Sequence, residues 1–123
     1  MKIKNTNFDG LKIIEGERFL DSRGYFREIS KNKDIKNVNF VFWCMSKSKK
    51  NVLRGLHLQI KKQQDKLISV IKGKILDVVV DLRKNSKTFG KHFKIELSEK
   101  NCKCLFIPRG FAHGFLTMDT ENI

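Results

Sequence analysis

Residues 91–98 read KHFKIELS, and apolar and polar side chains alternate more clearly here than elsewhere in the chain. Successive side chains of a β-strand point to opposite faces, so Phe93, Ile95 and Leu97 are expected to share one face. The stretch therefore predicts a half-buried strand, with its apolar face on a core and its polar face towards solvent.

Further short strands are predicted on both sides of this stretch. LISVIKGKILDVVVDL (67–82) indicates two strands folded about Lys72–Gly73, where glycine tolerates the positive φ of a turn. FVFWCMS (40–46) and CLFIP (104–108) are expected to be short apolar strands, and only a short helix around 34–38 is expected. Many short strands joined by polar turns predict an all-β, antiparallel sandwich, barrel or jelly roll, in which inward-facing polar residues are candidates for a site.

The composition indicates one compact domain covering residues 1–123. Hydrophobic residues make up 40% of the chain, enough to bury a core. No apolar run could span a bilayer, and the first lysines lead into no apolar signal region, so we expect a cytoplasmic protein with no membrane partner. Three cysteines without C-x-x-C pairs argue against a disulfide framework.

The formal net charge of +13 has two interpretations. It could reflect a polyanionic partner, either a nucleic acid or a phosphorylated substrate. It could also reflect codon usage in an AT-rich genome, since most basic residues are lysines in a chain rich in Ile and Asn. The lysines are scattered and no aromatic RNA-binding signature accompanies them, so codon usage is favoured and no nucleic-acid partner is expected.

VLRGLHLQ (52–59) places Arg54 and His57 three residues apart in what is otherwise an apolar strand. The stretch predicts a buried strand, and Gln59 would share a face with His57. A lone histidine near apolar residues is more often structural than functional. Burying an arginine and a histidine together is unfavourable unless each has a partner. A pocket that binds an anion and moves a proton would explain the pair.

PRGFAHGF (108–115) predicts a turn that leads into a strand beginning near His113. The stretch resembles the second sequence motif of the cupin superfamily, whose small jelly-roll barrels hold ligands inside. Many cupins bind a metal through a His-x-His pair and a glutamate. Here Gln59 stands where the second histidine of the pair would be. Lys66, seven residues before Gly73, stands at the position of the glutamate. A metal site is therefore disfavoured. Lys66 could be a surface lysine, or a cation that suits a negative charge developing on a substrate.

DSRGYFRE (21–28) contains good turn chemistry at its first four residues. Taken alone, it favours a hairpin with a solvated arginine. Arg23 and Glu28 become candidates for a binding site only in combination with the other motifs.

Four motifs in order resemble those of the dTDP-4-dehydrorhamnose 3,5-epimerase family, whose members have a cupin jelly roll: DSRGYFRE, SKSKKNVLRGLHLQ, DKLISVIKGKILDVVVDLRKNSKTFG and IPRGFAHGF. The resemblance implies a dTDP-linked 4-keto-6-deoxyhexose as substrate, in dTDP-rhamnose biosynthesis. A base would remove an acidified proton next to the ketone, leaving an enolate, and an acid would return a proton to the opposite face. No cofactor is implied.

By this resemblance, His57 would be the base and Lys66 would stabilise the enolate oxygen, while His113 would line the same pocket. Arg23 and Arg54 would hold the phosphates, and Glu28 would make a further substrate contact. The family is dimeric and builds each site partly from the neighbouring subunit, so a homodimer is implied.

The chain departs from the family pattern in two respects. Phe42-Trp43-Cys44 stands where the family usually has Gln-x-Asn, and Asn51 stands where it usually has glycine. Family chains also continue past the last motif, with a tyrosine as the opposing acid and an aspartate that orients the base, so the jelly roll could be incomplete. Tyr25 is the one tyrosine here. We therefore expect weak epimerisation by this chain, with an inactive cupin that binds a sugar nucleotide or a partner subunit as the alternative.

Overall fold

The computed structural model describes residues 1–31, 35 and 37–123, and every regular element in this part of the chain is a β-strand. The strands are β1 (Lys2–Asn5), β2 (Lys12–Glu15), β3 (Arg18–Asp21), β4 (Gly24–Arg27), β5 (Ser48–Lys49), β6 (Leu53–His57), β7 (Lys66–Ser69), β8 (Lys74–Asp81), β9 (His92–Ser98), β10 (Lys103–Ile107), β11 (Phe111–Thr117) and β12 (Glu121–Asn122). In the described part of the chain, no helix is long and apolar enough to cross a membrane.

Two four-stranded antiparallel sheets form the body of the fold. Their strand orders are β1-β2-β10-β7 and β6-β11-β8-β9, and two further sheets of two strands pair β12 with β5 and β3 with β4. Buried apolar residues from both four-stranded sheets form one cluster, to which Leu105 and Ile107 contribute from β10 and Val79 and Leu97 from β8 and β9. The predicted antiparallel jelly roll is confirmed.

The predicted strand at 91–98 is confirmed as β9, and its three apolar side chains all face the core. Both strands of 67–82 are present as β7 and β8, with Gly73 between them at a φ of +80°. These two strands do not form a hairpin, because β7 pairs with β10 and β8 pairs with β11 and β9. The chain therefore crosses from one sheet to the other at Gly73.

The prediction of a strand at 40–46 is wrong. These residues pair with no strand, and Val41, Phe42, Trp43 and Met45 are each at least 71% exposed. An apolar run forms a strand only where a neighbouring strand takes up its backbone hydrogen bonds, and none lies beside this one in the described chain. Residues 34 and 36 of the short helix expected at 34–38 lie outside the described ones.

The loop that follows β8 is held by one buried carboxylate. Asp81 is fully buried, and it accepts hydrogen bonds from the Arg83 guanidinium at 2.8 and 2.9 Å and from the hydroxyls of Ser86 and Thr88 at 2.6 Å each. The Arg83 guanidinium also lies over the ring of Phe111, 4.5 Å from its centroid. Burial acts to raise the pKa of Asp81, but these hydrogen bonds outweigh it and hold that pKa well below its ordinary value.

Candidate functional site

An irregularity in the pairing of β6 with β11 explains why an arginine and a histidine stand three residues apart. His57 pairs with His113 and Arg54 pairs with Phe115, so β6 advances three residues where β11 advances two. The extra residue makes a β-bulge. His113 and Phe115 share a face of β11 because they are two apart, and the bulge therefore brings Arg54 and His57 onto that same face.

Two glycines allow the strands to approach at this bulge. Gly55 has a φ of +95°, and a Cβ atom on it would lie 2.5 Å from the carbonyl oxygen of His113. A Cβ atom on Gly114 would lie 2.7 Å from the carbonyl oxygen of Arg54. Both distances are to backbone atoms, which cannot move aside as a flexible side chain can. The glycines of LRGLH and FAHGF are thus required by the geometry of the site.

The prediction that VLRGLHLQ is a buried strand is wrong. β6 is the edge strand of its sheet, and Leu53 and Leu56 are 72% and 52% exposed. Gln59 lies beyond the end of β6, so the expected alternation with His57 does not extend to it. Arg54 and His57 are therefore held at an open edge rather than sealed in the core.

A cleft of about 620 Å³ opens where β6 and β11 meet. It is lined by Ser46, Leu53, Arg54, Gly55, His57, His113, Gly114 and Phe115. The Arg54 guanidinium donates from Nε and Nη2 to the Ser48 hydroxyl at 3.2 and 3.1 Å, which orients it without neutralising its charge. The cleft thus combines a cation with two imidazoles, a set suited to an anionic ligand and to proton transfer.

Behind the cleft, His113 contacts a buried carboxylate that the sequence reasoning missed. The Nε2 atom of His113 lies 3.0 Å from Oδ1 and 2.9 Å from Oδ2 of Asp77, which is fully buried. Burial raises the pKa of Asp77, while the His113 hydrogen bond and the charges of His113 and Lys66 act in the opposite direction. The alternation of β8 could have revealed it, because Asp77 lies between Ile75 and Val79 on the inward face.

Lys66 opens β7, in the sheet that packs across the core from β8. It is half-buried, and its charge acts on the Asp77 carboxyl. Lys66 on one sheet thus acts electrostatically on Asp77 on the other sheet, and Asp77 is hydrogen-bonded to His113 of the cleft. Of the residues predicted for the site, the structure brings His57, Arg54 and His113 into one cleft and places Lys66 near it.

The other two predicted site residues lie elsewhere in this chain. Arg23 occupies the turn between β3 and β4, where its side chain is 89% exposed and pairs with Asp21 at 2.7 Å. Glu28 follows β4 and pairs with Lys31 at 2.9 Å. Neither lines the cleft.

The departure at Asn51 is compatible with the fold. Asn51 has a φ of +61°, in the left-handed region that glycine adopts freely and asparagine tolerates better than most residues. A glycine and an asparagine can therefore fill the same turn before β6. Over the described residues, no group of three or more metal-ligating side chains is close enough together to hold a metal ion.

Comparisons with known proteins agree with this architecture. The family model described as dTDP-4-dehydrorhamnose 3,5-epimerase matches residues 5–123. The enzyme of that name from Methanothermobacter thermautotrophicus is 48% identical over 122 residues, which cover 96% of this chain and 66% of the relative.

Solved structures give the same result. The dTDP-4-dehydrorhamnose 3,5-epimerase of Elizabethkingia anophelis is 44% identical with a TM-score of 0.88, and the match covers 99% of this chain and 70% of that one. The Legionella pneumophila dTDP-6-deoxy-D-glucose-3,5-epimerase, in complex with dTDP-4-keto-L-rhamnose, is 42% identical with a TM-score of 0.92 over 98% of this chain and 67% of that one. The chain spans about two thirds of the length of such relatives, and it belongs to the dTDP-4-dehydrorhamnose 3,5-epimerase family.

Proposed function

We propose that the cleft between β6 and β11 binds a dTDP-linked 4-keto-6-deoxyhexose and exchanges the protons on the carbons next to its ketone. The observation that carries the proposal is the bulge that turns Arg54 and His57 to one face, beside His113. A relative of known structure binds dTDP-4-keto-L-rhamnose, which has the same chemistry.

The neutral imidazole of His57 would act as the base. It takes the proton from the carbon, the C–H electron pair forms a carbon–carbon double bond, and the ketone π electrons move to the oxygen as an enolate. Lys66 would offset the charge on that oxygen from the opposite sheet. Return of a proton to the same carbon regenerates the ketone, so the cycle needs no redox partner.

The phosphates would be bound by arginine. Arg54 already lies in the cleft, and the Ser48 hydroxyl leaves its remaining N–H donors available for a phosphate oxygen. Arg23 and Glu28 lie on and after an exposed hairpin, so we propose that they reach substrate in the cleft of a second copy.

We also propose that the chain forms a homodimer, because it exposes a hairpin and much apolar surface. Among the described residues, the β3–β4 hairpin pairs with no other strand, and an isolated hairpin is marginally stable in water. On this hairpin, Leu20 is 75% exposed and Phe26 is 66% exposed. Elsewhere, Trp43 is 79% exposed and Leu53 is 72% exposed. So much exposed apolar surface is typical of an interface, and we propose a second copy of the chain as its occupant.

Sedimentation equilibrium tests the dimer. Trp43→Ser is expected to raise the dissociation constant at least tenfold, whereas Phe89→Ser, which removes a 53% exposed aromatic ring from the loop after β8, leaves it unchanged. A monomeric wild type, or equal effects of the two variants, would contradict the proposal. The cytoplasmic location stays a prediction.

An inactive sugar-nucleotide-binding cupin is the second candidate. Tyr25, the one tyrosine of the sequence, lies on β4 and outside the cleft of its own chain, so no tyrosine among the described residues of that cleft faces His57 as the opposing acid. Proton exchange needs only a base, whereas inversion needs a donor on the other face. Weak or missing inversion is therefore expected together with surviving exchange.

Incubation with dTDP-4-keto-6-deoxyglucose in deuterated water separates the two candidates. The wild type is expected to incorporate deuterium next to the ketone, and His57→Ala to abolish this. His92→Ala is the matched control, since His92 lies on β9 outside the cleft. Tight nucleotide binding without any exchange would support the inactive cupin, and failure to bind would contradict both.

A further inference from the structure

We propose that Asp77 is a positioning residue of the cleft, which acts on substrate through His113 and does not touch it. For its catalytic consequence, the inference rests on the function proposed above. The contact itself can be tested without substrate.

The hydrogen bond defines which nitrogen of His113 carries a proton. An ionised carboxylate can only accept hydrogen bonds, and both Asp77 oxygens lie within 3.0 Å of Nε2. Nε2–H therefore donates to Asp77 and leaves Nδ1 as the nitrogen available to a ligand. A histidine whose second nitrogen is held by a carboxylate has one tautomer and one ring orientation.

Burial supports a positioning role over direct contact. Asp77 is fully buried and does not line the cleft, while the His113 side chain is 10% exposed and does. A carboxylate at this depth is unfavourable unless it is hydrogen-bonded and its charge is offset. His113 supplies the hydrogen bond, and Lys66 acts on the carboxyl from the other sheet.

The same strand offers a contrasting carboxylate. Asp81 is equally buried on the same face of β8, yet its partners are Arg83, Ser86 and Thr88 of the following loop, which close that loop. Asp77 has no such loop to hold, and its one hydrogen-bonding partner among the described side chains is a cleft histidine. Asp77 is thus the buried acid of β8 that is connected to the cleft.

Proton NMR of the unliganded protein tests the contact. An imidazole N–H bonded to a carboxylate exchanges slowly and resonates far downfield. The wild type is expected to show this signal, and His113→Asn and Asp77→Asn to lose it or move it upfield. Asp81→Asn, measured at a temperature below its thermal unfolding midpoint, is expected to keep the downfield signal. A folded wild type with no such signal assignable to His113 would overturn the inference, even if Asp77→Asn fails to fold.

Kinetics then test the consequence. Asp77→Asn is expected to lower the rate of deuterium exchange at saturating substrate about 10- to 100-fold, as seen when the carboxylate partner of a metal-ligating histidine is removed. KM is expected to stay within about twofold, because Asp77 makes no contact with substrate. An unchanged exchange rate would overturn the inference. An inactive wild type that shows the NMR signal would contradict only the proposed function.

Discussion

Replacement of Gly55 by alanine tests the bulge on which the site depends. The new Cβ atom would lie 2.5 Å from the carbonyl oxygen of His113 and 2.7 Å from the Cα atom of Gly114, both backbone atoms. The residue would also keep a φ of +95°, which side chains rarely adopt. β6 must therefore shift away from β11, and His57 with it.

The expected magnitude has two parts. The strained backbone costs about 1–3 kcal/mol, and a contact too close for packed atoms costs about another 1–3 kcal/mol. Gly90→Ala separates the two, because Gly90 has a φ of +75° but nothing within 4 Å of the added Cβ atom. It should show the backbone part alone.

Chemical denaturation measures the free energy of unfolding of both variants, and titration calorimetry measures their affinity for dTDP. Gly55→Ala is expected to be destabilised about 1–3 kcal/mol more than Gly90→Ala, and to lose nucleotide affinity that Gly90→Ala retains. Equal destabilisation with intact binding in both would refute the assignment of the bulge as the element that assembles the site.

Two further predictions concern stability. Asp81→Asn weakens the hydrogen bonds that the buried carboxylate accepts from Arg83, Ser86 and Thr88. It is expected to cost about 1–3 kcal/mol in urea unfolding, so an unchanged stability would count against Asp81 as the group that holds the loop after β8. Glu121 pairs with Lys47 at 2.6 Å and Lys72 at 2.7 Å, and its hydrogen bonds with them lower its pKa to about 2. A lowered pKa stabilises the fold above the ordinary value near 4.5 and loses that effect as the pH falls towards 2. The difference in Tm between wild type and Glu121→Gln should therefore shrink over this range, and a difference independent of pH would contradict the assignment.

Alternation alone was sufficient to predict the strands that carry the core. Phe93, Ile95 and Leu97 alternate with charged residues, and β9 turns all three towards the core as predicted, with Leu97 fully buried and Phe93 and Ile95 partly buried. The run at 40–46 was predicted from its apolar composition, not from alternation, and it is not a strand, because hydrophobicity does not specify a partner. The pairing that makes an apolar run a strand is a tertiary property.

Three residues of the candidate cleft were predictable from the sequence, but their geometry was not. His57, Arg54 and His113 could be named from motifs, yet their convergence depends on an extra residue in β6 that strict alternation cannot express. A spacing of three would place Arg54 and His57 on opposite faces of a regular strand. Gly55 between them was the signal for a bulge, since glycine within a strand often marks one.

The central claim is that Arg54 and His57 act on one ligand from one face of the sheet. A crystal structure of the His57→Asn variant, unable to remove the proton, with dTDP-4-keto-6-deoxyglucose bound would test it most directly. The account predicts a diphosphate oxygen on the Arg54 guanidinium and a carbon next to the ketone within about 3.5 Å of the residue 57 side chain. A sugar nucleotide bound with Arg54 and residue 57 on separate sides, or outside this cleft, would contradict it.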